Sequence, residues 1–411
     1  MLISGLSSIS FVFFVCFVNL SHQFDDTKFL PTEMYSRMRT TEIIRYWGYP
    51  AEEHKVTTED GYILTIFRIP NPGKTPVLFL HGLTASSDCW LTRDPSADFV
   101  FLLWKRGYDI WFWNARGNLY SRGHVNLTPK SDKFCRFAMN ELGLYDTTAT
   151  IDYILNQTGH NSLITLGHSL GTTNVLIAGS LRPEYQTKVR LNVLWAQSAF
   201  LGNLVTKDFL EGLYGIYARW TYKDNAIAME KGTDVEVITR YLCYTKSPTL
   251  PLCKLLLELS SGFGSNQTVA TAGAKMMTKF PGSSSVNLIK HVVQSVRTGQ
   301  FKPLSYGRKE NLKRYGAPKP PPYPIENFNT PTAIYFGCCN DFLSSGKDAY
   351  ILRSRLKNVV KFYKVPYRLF NHGDFLWGVD SYRLLYKDTL DLIDAYNQES
   401  NNVDQPTKED N

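Results

Sequence analysis

A serine hydroxyl attacks a carbonyl only when a base takes its proton and an acid holds that base in place. The chain carries these three residue types in a usable order. Ser169 lies in Gly167-His168-Ser169-Leu170-Gly171, a Gly-x-Ser-x-Gly pentapeptide between an apolar run at 163–166 and a helical pattern. A strand turning sharply into a helix at such a serine holds the hydroxyl clear of the backbone. Glycines on both sides remove the side chains that would collide there. Downstream, Asp341 ends Gly337-Cys338-Cys339-Asn340-Asp341, and His372 lies in Phe370-Asn371-His372-Gly373-Asp374 before the last helical pattern. Asp341 follows a predicted strand, and the carboxyl ends of parallel strands are where ligand-facing groups collect. The implied chemistry is acyl transfer, with Ser169 as nucleophile, His372 as base and Asp341 as the orienting acid.

The competing residues fit less well. The histidines are at 22, 54, 81, 124, 160, 168, 291 and 372, and only His291 and His372 follow the serine at a useful distance. His291 falls in a helical pattern and reads as a packed or surface residue. Asp374 is too close to His372 in sequence to orient it as readily as Asp341. Asp348, on the next predicted helix, is the conceivable substitute. A tetrahedral intermediate also needs two backbone N–H donors. Leu170, after the nucleophile, and Leu83, in His81-Gly82-Leu83 after the buried run 76–80, are the predicted pair.

These groups need a scaffold, and the patterns of apolar residues supply one. A helix is predicted over 40–47 with Thr40 or Thr41 as its cap, then a hairpin from 53–57 and 62–68 around Glu59-Asp60-Gly61. Strands at 76–80, 108–113, 162–166 and 190–196 alternate with helices at 99–105, 140–155 and 172–181. The alternation resumes with strands 331–336 and 359–365 and helices 347–356 and 381–396. This predicts an α/β fold with a mostly parallel central sheet flanked by helices. Between the two halves, 198–322 is helical, apolar and broken by Gly and Pro, with no clear strand; it reads as a helical cap or lid. The expected organisation is 1–23 signal peptide, 24–197 first part of the core, 198–322 cap, 323–396 second part of the core, and 397–411 a disordered polar tail.

Composition narrows the class. Hydrophobic content of 43% and aromatic content of 14% give a globular protein with a large core. The net charge of +8 comes from scattered basic residues, which argues against a nucleic-acid footprint. The run 9–20 is apolar, too short to span a membrane and suited to a signal peptide; a membrane-anchored N-terminus is the lesser alternative. Sequons at Asn126, Asn156 and Asn266 agree with secretory routing. Six cysteines follow the leader: Cys89, Cys135, Cys243, Cys253, Cys338 and Cys339. Cys243 and Cys253 enclose a short Pro-containing loop and are the preferred pair, although spacing does not fix pairing. Vicinal Cys338 and Cys339 are not expected to bridge.

Taken together, the chain resembles the acid lipase family of gastric, lysosomal and related invertebrate lipases, a branch of the α/β-hydrolases. The similarity runs from about Thr40 to Tyr396 and includes Trp47-Gly48-Tyr49-Pro50, Thr57 to Leu64, His81-Gly82-Leu83, Asn114-Ala115-Arg116-Gly117-Asn118, Tyr145-Asp146, the serine motif, Asn340-Asp341 and Asn371 to Phe375. The resemblance implies Ser169, His372 and Asp341 as triad, Leu83 and Leu170 as oxyanion donors, a Cys243–Cys253 bridge and a mobile lid. It departs from the family at Leu170, where Gln is usual, at Cys135, where an aromatic is usual, and at Cys338-Cys339, in a loop usually rich in glycine. A second bridge between Cys89 and Cys135 is therefore entertained.

The resemblance implies a secreted or lysosomal serine lipase acting on neutral lipid at an oil–water or membrane interface, triacylglycerol first and sterol esters second. It needs no metal or cofactor. The alternatives are a carboxylesterase or acyltransferase on the same fold, or a non-catalytic lipid carrier. Apolar positions at helical spacing in 208–220 and 253–259 are expected to be mostly core, with a minority exposed for lipid binding. Oligomeric state is left open.

Overall fold

In the computed structural model, the described residues are 30–208, 211–212, 225–230, 241–244 and 247–403, with the backbone alone for 399–403. The expected signal peptide and most of the 208–220 stretch lie outside them. The strands are β1 (Glu52–Thr57), β2 (Tyr62–Ile69), β3 (Pro76–Leu80), β4 (Asp109–Phe112), β5 (Gly123–His124), β6 (Leu163–His168), β7 (Val189–Trp195), β8 (Ile227–Ala228), β9 (Ser284–Ser285), β10 (Thr332–Phe336) and β11 (Val359–Lys364). The main sheet runs β1-β2-β4-β3-β6-β7-β10-β11, with β5 on β2.

The hairpin β1–β2 is antiparallel, as is its junction with β4. Every pair from β4 to β11 is parallel, because each connection returns through a helix. Along β3, β4, β6 and β10 every residue is buried, as continuous apolar strands covered on both faces must be. The sheet thus carries the predicted mostly parallel α/β architecture, and β6 extends two residues past the expected end, directly to Ser169.

Several elements differ from expectation for identifiable reasons. The N-cap of the first predicted helix is Arg39, whose N–H donates to Glu42 Oε2 at 2.6 Å. Thr40 is turned inward instead, its hydroxyl donating to Asp88 Oδ1 at 2.7 Å. The helix expected over 140–155 runs from Met139 to Thr158 with a π turn at Leu142–Thr147. Gly143 permits that packing: a Cβ there would lie 2.5 Å from Ile177 on the neighbouring helix. The last helix continues to Val403, so residues 397–403 are not a disordered tail. Asn397 is docked, with Oδ1 accepting from Thr75 Oγ1 at 2.5 Å.

The insertion contains the helices Leu250–Ser261, Ala270–Lys279, Val286–Thr298 and Arg308–Tyr315. It also supplies a strand, contrary to expectation: β8 pairs antiparallel with β9 in a separate two-stranded sheet. The helix Ala270–Lys279 is seated on the N-terminal helix Thr32–Arg37, with Lys279 Nζ donating to the Met38 carbonyl.

The cysteines sort differently from the sequence reading. Cys243 and Cys253 are bonded to each other. Cys338 and Cys339 are also bonded to each other, whereas no bridge was expected. The two residues lie in a bend immediately after β10 rather than in extended chain, where successive side chains would point apart. Cys89 and Cys135 are free and buried, so the second bridge between them is not formed. Cys135 packs with Phe134 and Phe137 in the main core cluster, to which Cys89 does not belong.

Candidate active site

At the end of β6 the chain enters the helix Leu170–Leu181 through Ser169, whose φ of 55° and ψ of −126° lie where non-glycine residues are strained. Its N–H donates to the Trp195 carbonyl at 3.0 Å, which ties the turn to β7. Both motif glycines are sterically required. A Cβ at Gly171 would come within 2.1 Å of the Leu80 carbonyl oxygen, and one at Gly167 within 2.6 Å of the Thr172 nitrogen. Gly82 approaches less tightly from the other side: a Cβ there would sit 3.1 Å from Ser169 Cβ and 3.5 Å from its Oγ. The strand end of β3 therefore lies directly over the hydroxyl. Among the described residues, the N–H groups of Leu83 and Leu170 have no hydrogen-bond acceptor. Two such orphan donors beside a serine hydroxyl suit a developing oxyanion.

The loop bearing them is held by a residue whose role the sequence did not disclose. His81 is buried; its Nδ1–H donates to the Gly82 carbonyl at 2.8 Å, and its Nε2 accepts from Ala115 N–H at 3.2 Å. Burial pushes its pKa down to about 4, so the ring is neutral and keeps this donor–acceptor pattern. The loop after β4 that supplies Ala115 is in turn anchored by Arg116. Its guanidinium lies between Asp146, Nε to Oδ1 at 2.7 Å, and Asp60, NH2 to Oδ1 at 2.8 Å. Burial opposes this charge, but the two carboxylates outweigh it and raise the Arg116 pKa.

On the far side of the serine, His372 Nδ1–H donates to Asp341 Oδ1 at 2.9 Å. Both residues are buried. Asp341 Oδ1 also accepts from the backbone N–H groups of Leu343 at 3.0 Å and Ser344 at 2.8 Å, so its carboxylate is fixed from two directions. With Nδ1 committed, His372 Nε2 is the nitrogen left to act as a base. Among the described residues Ser169 Oγ makes no hydrogen bond to it; such bonds are commonly loose before a substrate is in place. The two segments are nevertheless joined next door. His168 Nε2–H donates to the His372 carbonyl at 3.0 Å, and the two rings lie 4.7 Å apart.

The competitors are occupied elsewhere. Asp348 accepts from Asn203 N–H at 3.0 Å and from its amide at 2.7 Å. Asp374 accepts from Asn371 N–H at 2.8 Å. His291 is buried between Met139 N–H and the Lys302 carbonyl. The end of the helix Leu250–Ser261 meets the loops of Asp341 and His372 directly. The Ser261 carbonyl accepts from both His372 N–H at 3.1 Å and Phe342 N–H at 3.3 Å. Asn340 donates to the Phe263 and Leu369 carbonyls, and Asn371 to that of Gly262. Asn340 and Asn371 stood in the sequence motifs, but only the fold reveals that they hold the Gly262–Phe263 segment. The candidate glycan acceptors Asn126, Asn156 and Asn266 are all exposed.

Buried ionisable groups around this core give stability a pH dependence. Burial raises Asp98 to about 8 and Asp374 to about 7. A carboxyl that holds its proton more tightly when folded contributes fully below its unfolded value and loses that contribution as pH rises through the folded one. His81 and His291, lowered to about 4 by burial, behave oppositely: their contribution is present above about 6.5 and is lost as pH falls. The two sets oppose each other between about 4 and 6.5. Between pH 6.5 and 8 the carboxyls act against only the onset of Lys275 titration, which burial lowers to about 8. Unfolding free energy is therefore expected to fall by about 1–2 kcal/mol over that interval, at 1.36 kcal/mol per proton per pH unit. Urea titrations at the two pH values check this; a rise in stability would contradict it.

Comparison with known proteins agrees with this geometry. The family model for a partial α/β-hydrolase lipase region matches residues 40–94, and that for the α/β-hydrolase fold matches 75–232. Lipase 1 of Drosophila melanogaster is 33% identical over 358 residues, covering 87% of this chain and 80% of that protein. Human lipase member K is 33% identical over 383 residues, covering 88% and 92%. Human gastric triacylglycerol lipase is 32% identical over 368 residues, covering 87% and 91%. Among solved structures, an esterase from Exiguobacterium antarcticum superposes with a TM-score of 0.51 at 13% identity, covering 84% of this chain and all of that one, a likeness of fold. Fold and relatives define the class, a carboxylic ester hydrolase of α/β-hydrolase architecture. Within it, the chain belongs to the acid lipase family, alongside gastric triacylglycerol lipase.

Proposed function

We propose that this chain is a serine lipase that hydrolyses neutral lipid esters, triacylglycerol first and sterol esters second, through an acyl-enzyme on Ser169. The observation that carries this reading is the Asp341–His372 hydrogen bond of 2.9 Å, joined through His168 to the strained Ser169, with the orphan N–H groups of Leu83 and Leu170 nearby in the chain. Ser169 Oγ attacks the ester carbonyl carbon while His372 Nε2 takes its proton. The oxyanion is held by Leu83 and Leu170 N–H, and the imidazolium by Asp341. Collapse breaks the ester C–O bond, and the leaving alcohol receives the proton from Nε2. Water then gives a proton to Nε2 and attacks the acyl carbon; the fatty acid departs and Ser169 regains its proton. No step requires a metal or cofactor.

The 198–322 insertion acts as the cap over this site. Leu255, Leu259 and Phe263, exposed by 44%, 41% and 42%, give it an apolar face suited to a lipid interface. A secreted or lysosomal location is supported by the exposed sequons and the Cys243–Cys253 bridge. Among the described residues no helix is long and apolar enough to cross a membrane. The nearest alternative is a carboxylesterase or acyltransferase. Initial rates on tributyrin across its solubility limit separate them: a lipase accelerates as emulsion forms, several-fold or more. A rate that saturates on monomeric substrate and stays flat in the emulsion would favour the esterase.

A further inference from the structure

The loop after β3 carries Leu83, a proposed oxyanion donor, and one residue far along the chain grips that loop from outside. Gly282, buried in the segment leading into β9, donates its N–H to the Thr84 carbonyl at 2.6 Å. Its own carbonyl accepts from Leu119 N–H at 2.8 Å, in the loop after β4. That second loop also supplies Ala115, whose N–H donates to His81 Nε2 at 3.2 Å. Gly282 therefore ties together the two loops that meet at His81. Its segment is fixed from behind: Ser283 Oγ accepts from Arg122 Nη2 at 3.0 Å and donates to the Met229 carbonyl at 3.2 Å.

A peptide unit is planar, so holding the Thr84 oxygen also aims the Ala85 N–H at the other end of the same unit. Ala85 N–H donates to the Gly82 carbonyl at 3.2 Å, and the Gly82–Leu83 unit ends in the orphan N–H of Leu83. The N–H groups of Gly282, Ala85 and Leu83 thus follow one another head to tail. Hydrogen-bonded amides in such a chain polarise one another, more strongly where water is excluded, and Thr84 and Ala85 are both buried. Thr84 has a φ of 51°, a conformation that a threonine keeps only where its surroundings enforce it. Glycine at 282 permits the close approach. A Cβ there would lie 3.0 Å from the Ala85 oxygen and 3.1 Å from the Thr84 oxygen, so a side chain would press the loop away.

We infer that Gly282 is a positioning residue for ester hydrolysis: through the Thr84–Ala85 and Gly82–Leu83 peptide units it aims and polarises the Leu83 N–H toward the oxyanion. This role rests on the proposed reading of Ser169 as nucleophile and Leu83 as donor. A contact that only packed the segment onto the core would not distinguish one reacting atom from another. A relay that ends on the oxyanion acts when negative charge develops there, so its loss falls on kcat and depends on the atom that carries the charge.

Steady-state kinetics on a soluble short-chain p-nitrophenyl ester and on the matching thionoester, with C=S in place of C=O, test this role. Sulfur is the poorer hydrogen-bond acceptor, so the thionoester draws less on the donors. Gly282→Ala is expected to lower kcat on the oxygen ester by roughly tenfold or more, part of the roughly 10²–10³ that a lost oxyanion donor costs, with KM within about threefold. On the thionoester the loss should stay within about threefold, so the preference for the oxygen ester shrinks. An ester in place of the Pro281–Gly282 amide removes the N–H without adding a side chain, and should reproduce both effects even if Gly282→Ala folds poorly. Gly212→Ala, at an exposed glycine where a Cβ would meet nothing within 4 Å, should leave both rates within about twofold. Unchanged kcat in both altered forms, equal losses on the two esters, or a loss confined to KM would each overturn the inference. Failure of the proposed catalytic reading would appear separately, as undiminished ester turnover in Ser169→Ala.

Discussion

Ser169→Ala is expected to lower kcat on a soluble short-chain ester by roughly 10⁵- to 10⁶-fold, the scale at which loss of a triad nucleophile leaves only binding and oxyanion stabilisation. The serine occupies a turn that Gly167, Gly171 and Gly82 compress from three sides, so water cannot be activated there with the same alignment. Because the proposed oxyanion donors are the backbone groups of Leu83 and Leu170, the variant keeps them and should keep substrate affinity. The loss should therefore fall on kcat, with KM changed only a few-fold. Purified Ser169→Ala retaining a hundredth of the activity would remove the serine from the mechanism.

Asp341→Asn should cost about 10⁴-fold in kcat, the penalty for an acid that orients a catalytic histidine. Asp341 Oδ1 accepts from Leu343 N–H, Ser344 N–H and His372 Nδ1–H, so an asparagine can reproduce the shape. It cannot supply the negative charge that stabilises the imidazolium. Its NH₂ group would also occupy the place of Oδ2, 3.2 Å from Nδ1, and favour the tautomer with the proton on Nε2. That tautomer cannot accept a proton from Ser169. The control is Asp348→Asn: Asp348 binds Asn203 rather than His372, so kcat should change by no more than a few-fold. Equal losses in the two variants would mean that the acid has been misassigned.

What the amino-acid order disclosed and what it hid divide along the range of the interactions. The elbow was legible because its constraint is local: Gly167 and Gly171 are the only residue type their backbone neighbours allow. Asp341 and His372 were legible because chain order and strand ends limited the choice. His81 and His168 could not be assigned, since their roles depend on partners at Ala115 and His372, distant in sequence. A histidine two residues before each candidate backbone donor was the available signal. The Cys338–Cys339 bond was missed because it depends on a bend rather than on spacing. The last helix was cut short because polar residues after Tyr396 resemble a tail, yet no Gly or Pro interrupts them before Val403, and Asn397 reaches back to Thr75.

The central claim, an acyl-enzyme on Ser169 generated by His372 and Asp341, is tested most directly by covalent trapping. The enzyme is treated with a p-nitrophenyl alkylphosphonate, which mimics the tetrahedral intermediate, and the adduct is located by peptide mass spectrometry. Stoichiometric modification is predicted at Ser169 alone, with the labelling rate reduced at least a thousandfold in Asp341→Asn. Labelling at another residue, or at Ser169 with an unchanged rate in that variant, would contradict it.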